Sequence, residues 1–238
     1  MKKTLFALAV ASLFCAGAQA HQIWIEQAQD QSAVVRFGEF GENLRETSPG
    51  LLDNFGRVQA RLVGKAGEKP LAVSKQADGF ALSAAPSNGE SLVAEDAAFP
   101  LHTFKQGGKD VTSWYRPAAR YATSLQAQQP ALALDIVPAG AAGVFTVYLD
   151  GKPLPKAKVA LVVPSGWMKE SFSDEKGQVN FDLPWKGSYV LETSHIERKP
   201  GQRDGKAYDG VNYVTTLHII NPQGAEPLPA GPAEKPHH

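Results

Sequence analysis

The chain of 238 residues is poor in sulfur, with two methionines and one cysteine, Cys15, which lies close to the start. A single cysteine cannot form an internal disulfide or the multi-thiolate cluster of a structural zinc site. If the first residues are removed after export, thiol catalysis is excluded as well. Histidine, carboxylate and hydroxyl groups are then the side chains left for chemistry.

Long apolar runs are also lacking, and the one at residues 5–16 is shorter than the roughly 20 residues that a membrane-spanning helix needs. Lys2 and Lys3 precede this run, and a small-x-small pattern ends at Ala20. These features predict a secretory signal peptide over residues 1–20, a mature chain that begins at His21, and a periplasmic protein that does not span the membrane. The alternative of a lipoprotein anchored at Cys15 is disfavoured because the preceding residue is Phe14 rather than a small one.

There is no excess of either charge. The 24 basic and 24 acidic residues balance, and loss of Lys2 and Lys3 would leave 22 basic residues. No basic run is present that would follow a phosphate backbone, so nucleic acid is not an expected partner.

Helical periodicity is almost absent, whereas short alternating or β-branched runs bounded by Gly, Pro, Asn and Asp recur along the chain. This pattern predicts an all-β fold made of two antiparallel β-sandwich modules of the immunoglobulin-like or transthyretin-like kind. We expect an N-terminal sandwich over residues 21–135, a C-terminal one over 136–221 and a disordered Pro-rich tail over 222–238. Two segments, 43–54 and 105–116, are predicted as irregular loops of functional interest.

The C-terminal half carries a specific local pattern in which a strand, two turns and a closing strand follow one another. It resembles the transthyretin-like, carboxypeptidase-regulatory-like module, and the residues that match are Asp150, Gly151, Lys152, Pro153, Leu154, Asp174, Gly177, Phe181, Gly187, Tyr189 and His195. The resemblance implies a small antiparallel sandwich, but such modules carry many functions.

Over nearly the whole mature chain, an export signal that ends in Ala-His, an aromatic residue soon after it (Trp24) and this C-terminal module resemble a family of periplasmic proteins associated with nickel or cobalt uptake. The resemblance implies a protein that captures nickel or cobalt and passes it to a membrane uptake transporter, and we expect a binding protein rather than an enzyme. Copper is a further candidate on the ground of donor chemistry alone, because affinity in the first-row series rises toward Cu. The resemblance also implies that the new N-terminal histidine, here His21, is the metal ligand.

A terminal histidine has two donors on one residue, the α-amine and the imidazole Nδ1, which can chelate one ion. The α-amine has an ordinary pKa of about 8, so a metal can displace its proton near neutral pH. Nitrogen donors of this kind suit Cu, Ni, Co and Zn. Cleavage after Ala20 would therefore create a chelate that the precursor lacks.

A tight site needs a further donor, and the candidates are His195, His102 and His218. Each has a plain alternative, because a single histidine among apolar strand neighbours is usually a packed, hydrogen-bonded residue. His237 and His238 end the tail, and the sequence does not distinguish native histidines from a remnant of cloning. Of the residues near the terminus, we expect Trp24 to pack in a core.

The chain has no nucleophile elbow, phosphate-binding loop, HExxH or dinucleotide-binding motif. Its many carboxylates, including Glu26, Glu39, Glu42 and Glu46, are predicted to be solvated. Two other functions remain open from the sequence, a structural or protein-binding module and a copper-dependent polysaccharide oxygenase.

Overall fold

A computed structural model of the protein describes residues 21–27 and 32–237. The predicted signal peptide and its cleavage point after Ala20 lie largely outside these residues. The described residues form an all-β fold without an α-helix, which confirms the predicted fold class. The helices of this part of the chain amount to one short 3-10 turn, so none is long and apolar enough to cross a membrane.

The strands, with that 3-10 helix at Leu51–Asn54, are in chain order β1 (Gln22–Gln27), β2 (Ala33–Glu39), β3 (Leu44–Arg45), β4 (Gln59–Gly64), β5 (Gly67–Leu71), β6 (Val73–Gln76), β7 (Gly79–Leu82), β8 (Ser91–Glu95), β9 (Leu101–Gln106), β10 (Lys109–Ala122), β11 (Leu134–Pro138), β12 (Val144–Leu149), β13 (Lys152–Pro153), β14 (Lys158–Val162), β15 (Met168–Phe172), β16 (Gln178–Asn180), β17 (Gly187–Glu197), β18 (Gly201–Arg203), β19 (Lys206–Tyr208) and β20 (Gly210–Asn221).

A nine-stranded sheet with the order β15-β14-β17-β20-β10-β8-β4-β5 forms the centre of the molecule, and β9 pairs with β10. A five-stranded sheet has the order β1-β2-β7-β6, with β3 on β2, and a four-stranded sheet has the order β11-β12-β13, with β16 on β12. Neighbouring strands are antiparallel except β10 and β20, which run parallel.

Two hydrophobic cores lie on opposite faces of the central sheet, because successive residues of a strand point to opposite sides. Leu217 and Ile219 of β20 belong to the core with the four-stranded sheet. Thr216 and His218 face the other way, where their side chains hydrogen-bond to backbone carbonyls of β1. The five-stranded sheet covers that face, and Trp24, which is 1% exposed, packs there with Phe40, Val162 and Val190 as predicted.

The predicted division into modules at residues 135 and 136 falls inside β11. It also assigns β10 and β20 to different modules, whereas their backbones pair over ten residues in one sheet. The two sandwiches therefore share their central layer. The composition of the chain changes at residues 126–143, a stretch rich in Gln, Ala and Gly, but composition carries no information on pairing between distant strands.

Of the two predicted irregular segments, residues 105–116 are instead a β-hairpin. The backbone turns at Gly107 and Gly108, both at positive φ, between β9 and β10. A two-residue turn with two positive φ angles is a common hairpin connection. The two glycines of this segment therefore close a hairpin.

The tail from residue 222 onward, predicted to be disordered, contacts the rest of the protein at several points of its described length. Ala225 exchanges backbone hydrogen bonds with Pro184 and Lys186, and the Gly231 N–H donates to the carbonyl of Pro164. The side-chain amide of Asn43 donates to the Gly231 carbonyl at 2.9 Å. The tail lacks apolar periodicity because backbone hydrogen bonds, rather than buried side chains, hold it.

Candidate metal centre

His21 directly precedes β1 and is fixed at both its backbone and its ring. The hydroxyl of Tyr115 donates to the His21 carbonyl at 2.6 Å, and burial raises the pKa of that hydroxyl, so it remains a donor. The imidazole lies 5.2 Å from the ring of Phe37, and 20% of the side chain is exposed. The ring is thus held at the surface but remains accessible.

Glu46 lies beneath His21 because a tight hairpin joins β2 and β3. The Glu46 N–H donates to the Phe37 carbonyl at 2.8 Å and brings the chain back to β2 just below the histidine. Its side chain is fully buried, so the prediction of a solvated carboxylate is wrong here. A buried carboxylate needs hydrogen-bond partners, and both of its side-chain partners are histidines.

His237 approaches Glu46 from the end of the tail. Its backbone N–H donates to Oε2 at 2.9 Å, and its Nδ1 lies 2.7 Å from Oε1. The Nε2 of His21 lies 2.6 Å from the same Oε1. One carboxylate oxygen therefore lies between two imidazole nitrogens, and one ligand atom from each of the three residues lies within 4.8 Å of the others.

The electrostatics of this group follow from the contacts. Burial alone would raise the pKa of Glu46, but the hydrogen bonds from His237 and His21 outweigh it, and the pKa lies below its ordinary 4.5. The hydrogen bond and charge of Glu46 in turn raise the pKa of His237 above 6.5. At neutral pH, Glu46 is an anion shared by two imidazoles.

Glu39, at the end of β2, lies on the other side of the His21 ring. Its Oε1 is 3.4 Å from Nδ1 of His21. Burial raises the pKa of this carboxyl, the charge of His21 partly offsets that effect, and the charge of Glu42 adds a smaller rise. Both ring nitrogens of His21 thus face a carboxylate, which orients the ring and favours cationic ligands nearby.

Among the described residues, the group of possible ligands around His21 contains Glu46 and His237, and it differs from the predicted set of His21, His195, His102 and His218. His102 is exposed on β9 and stacks on Phe104, with 6.0 Å between ring centroids. His195 lies half-buried near the end of β17. His218 is 3% exposed, and its Nδ1 is engaged by the Ile25 carbonyl at 2.6 Å.

The sequence reasoning missed Glu46 as a site residue and gave little weight to His237. One signal pointed to Glu46, because it falls in the segment 43–54 that was singled out as a functional loop. No local signal pointed to His237, since its position depends on a tail that follows the surface back to the other end of the chain.

Comparison of the chain with known protein families, with characterised proteins and with solved structures found no match in any of the three. The resemblance to nickel- and cobalt-associated periplasmic proteins therefore remains a prediction from the sequence.

Proposed function

We propose that this protein binds one transition-metal ion between His21, Glu46 and His237. The observation that carries the proposal is the convergence of two imidazole nitrogens and one buried carboxylate, whose ligand atoms lie within 4.8 Å of one another. Metal–nitrogen and metal–oxygen bonds of about 2.0 to 2.2 Å fit donors at such separations after small adjustments.

The donor set favours borderline metals over hard ones. Imidazole suits Cu, Ni, Co, Zn and Fe, and the affinity of a given site rises along the first-row series to Cu. The resemblance drawn from the sequence favours nickel or cobalt. The bound ion would replace protons now shared between Glu46 and the two imidazoles, so binding should release protons.

Two binding modes are consistent with this arrangement, and they use different nitrogens of His21. In one, Nε2 binds the ion together with Glu46 and His237. In the other, which the sequence predicts, cleavage after Ala20 frees the α-amine, and the amine and Nδ1 chelate the ion beside Glu39. In that second mode Nε2 donates to Glu46, which would act as the outer carboxylate that orients a ligating histidine.

In the cell, we propose that the protein works in the periplasm and captures the ion for a membrane uptake transporter. The partly exposed His21 and His237 support such a role, because 20% and 58% of their side chains are accessible for exchange with a partner. A catalytic metal centre is not part of the proposal.

The test is a calorimetric titration of tag-free protein that begins at His21 with Co²⁺, Ni²⁺, Cu²⁺ and Zn²⁺, with Co²⁺ binding also followed by its visible absorption. We expect one ion per chain. In the first mode, His21→Ala, Glu46→Gln and His237→Ala should each weaken binding on the order of 100-fold or more, since even outer partners of a ligand contribute 10- to 100-fold. In the second mode, His237→Ala should have little effect, because His237 is then neither a ligand nor the partner that orients one.

His102→Ala is the matched control, because it removes an exposed histidine away from the site and should leave affinity unchanged. The proposal fails if no ion binds, or if His21→Ala and His237→Ala bind like the unsubstituted protein. A second protein with one extra residue before His21 separates the modes, since it blocks the amine chelate but leaves Nε2, Glu46 and His237 intact.

A further inference from the structure

A second polar site lies in a cavity of about 450 Å³ between β1, the ends of β10 and β20, and the tail. This volume is typical of a pocket for a small organic molecule. The metal ligands proposed above do not line it. Its walls include His218, Arg45, Tyr121, Phe40 and Ile220, together with Ala230 of the tail.

His218, which lines this cavity, carries a buried hydrogen-bond acceptor. Its Nδ1 lies 2.6 Å from the Ile25 carbonyl, which can only accept, so Nδ1 carries the proton and Nε2 is the acceptor. Burial lowers the pKa of the imidazole, despite the opposing effects of Ile25 and Glu26, so the ring is neutral at pH 7. Among the described residues, Nε2 has no hydrogen-bond partner.

An acceptor buried without a donor costs free energy, and native proteins rarely leave one unpaired. The ring is fixed in place by Phe40 and Tyr121, whose centroids lie 5.9 Å and 5.3 Å away. Nε2 therefore needs a donor, and the cavity that His218 lines is the space next to this ring.

Arg45 supplies a cationic wall. Its guanidinium donates to Asn43 at 2.6 Å and to Glu26 at 3.1 Å, and about a third of the side chain is exposed. With five N–H groups, it retains donors for an anion. A carboxylate fits these donors well, since arginine binds it in a bidentate manner.

A metal ion is a poor occupant, because the one carboxylate in the cavity wall is already engaged. Glu26 accepts hydrogen bonds from Trp24, Arg36 and Arg45. An ion at His218 would have one free imidazole as its ligand, and the positive charges of Arg36 and Arg45, which both contact Glu26, would repel it. The remaining walls combine polar residues, Gln27, Asn43 and Ser188, with apolar ones. Phe40 and the 46%-exposed Ile220 are the apolar residues that suit a small hydrocarbon body.

We propose that this cavity binds a small hydroxycarboxylate with an apolar body, whose carboxylate pairs with Arg45 and whose hydroxyl donates to Nε2 of His218. The tail forms part of the wall, because Asn43 and Pro164 hold Gly231 next to Ala230. The proposal does not depend on metal binding.

Mandelate, phenylacetate and benzyl alcohol are the probes. Phenylacetate lacks the hydroxyl of mandelate, and benzyl alcohol lacks its carboxylate. Calorimetry and the ¹⁵N resonance of His218 Nε2 would be followed in metal-free, unsubstituted protein. We expect mandelate to move that resonance and to bind about tenfold or more tightly than either analogue, which is the worth of one buried polar contact.

Ile220→Trp, which fills the cavity from a partly exposed position, should abolish mandelate binding while metal affinity is unchanged. His21→Ala should do the reverse, so the two proposals fail independently. Equal affinity for mandelate and phenylacetate, or an Nε2 resonance that none of the probes moves, would overturn the inference and leave a bound water as the partner of His218.

Discussion

At the scale of single residues, the unusual group is Glu46, a carboxylate with no exposed surface whose side-chain partners are two histidines. Carboxylates are seldom fully buried unless they are paired. Here the pairing comes from residues 25 and 191 positions away, so the burial depends on contacts that local sequence does not encode.

Glu192 is a second unusual carboxylate, in the groove that begins next to His21. The side chain of Gln22 donates to it, and burial, with the nearby charge of Glu39, raises its pKa to about 7. Glu42, Glu170 and Lys158 also line this groove. Because the unfolded chain loses this proton near 4.5 while the folded one keeps it to about 7, ionisation opposes folding.

We therefore predict that metal-free protein loses stability as pH rises from about 4.5 to 7, by about 2 to 3 kcal/mol from Glu192 alone. Glu192→Gln should flatten this part of the profile. Urea unfolding at pH 5 and pH 8 measures the difference, and Glu170→Gln, at a more exposed position of the same groove, is the control. A Glu192→Gln protein with an unchanged pH profile would refute the prediction.

At the scale of elements, the β2–β3 hairpin decides whether the metal centre forms. Gly38 pairs with Arg45 in this hairpin at a φ of 141°, and a Cβ there would lie 2.3 Å from the Leu44 carbonyl oxygen. No side chain fits at that distance. The backbone must move if Gly38 is replaced, and Glu46 moves with it.

Gly38→Ala should therefore cost about 2 to 3 kcal/mol of stability and weaken metal binding, because positive-φ strain and a backbone clash act together. Gly67→Ala is the matched control. Gly67 also has a positive φ, of 102°, but a Cβ there meets no atom within 4 Å. Chemical denaturation and cobalt titration of both variants provide the comparison, and equal effects would show that the clash is unimportant.

The tail is the other element on which the sites depend. Ala225 forms a β-bridge with Trp185, Gly231 hydrogen-bonds to Pro164, and His237 hydrogen-bonds to Glu46. Its contacts are mainly backbone hydrogen bonds, so its composition resembles that of a disordered segment. The tail provides a ligand for one proposed site and part of the wall of the other.

At the scale of the whole molecule, one sheet serves both cores, and a buried ion pair joins its centre to the four-stranded sheet. Arg120 of β10 donates to both oxygens of Asp135 of β11, at 3.0 Å and 2.5 Å, and both side chains are inaccessible. Asp135 also accepts the N–H groups of Ala131 and Leu132. Removal of its charge would leave Arg120 buried without a counter-ion.

Asp135→Asn should cost about 3 to 5 kcal/mol, as is typical when one partner of a buried pair is removed. Because the central sheet is shared, unfolding should remain a single transition, with superimposable tryptophan fluorescence and circular dichroism curves in urea. Glu170→Gln in the exposed Lys158–Glu170 pair should change stability by about 0.5 kcal/mol or less. Two separate transitions would contradict the shared-sheet interpretation.

Much of the fold could be predicted from the sequence, because strand signals are local. Asp150 and Gly151 form the expected tight turn, both at positive φ, and Asp174 closes the next turn by accepting the N–H groups of Lys176 and Gln178. The parallel pairing of β10 with β20 was not predicted, because about a hundred residues separate the partners and no periodicity records such a contact.

For the candidate metal centre too, one part could be predicted from the sequence and the other could not. By itself the sequence determined the all-β class, the burial of Trp24 and the choice of His21 as a candidate ligand. Strand alternation, turn residues and side-chain chemistry are properties of short segments. Only the tertiary structure decided that Glu46 and His237, rather than His102, His195 or His218, join His21. The reason is that a ligand set is a matter of distance in space, which here depends on a hairpin and a tail that meet from opposite ends of the chain.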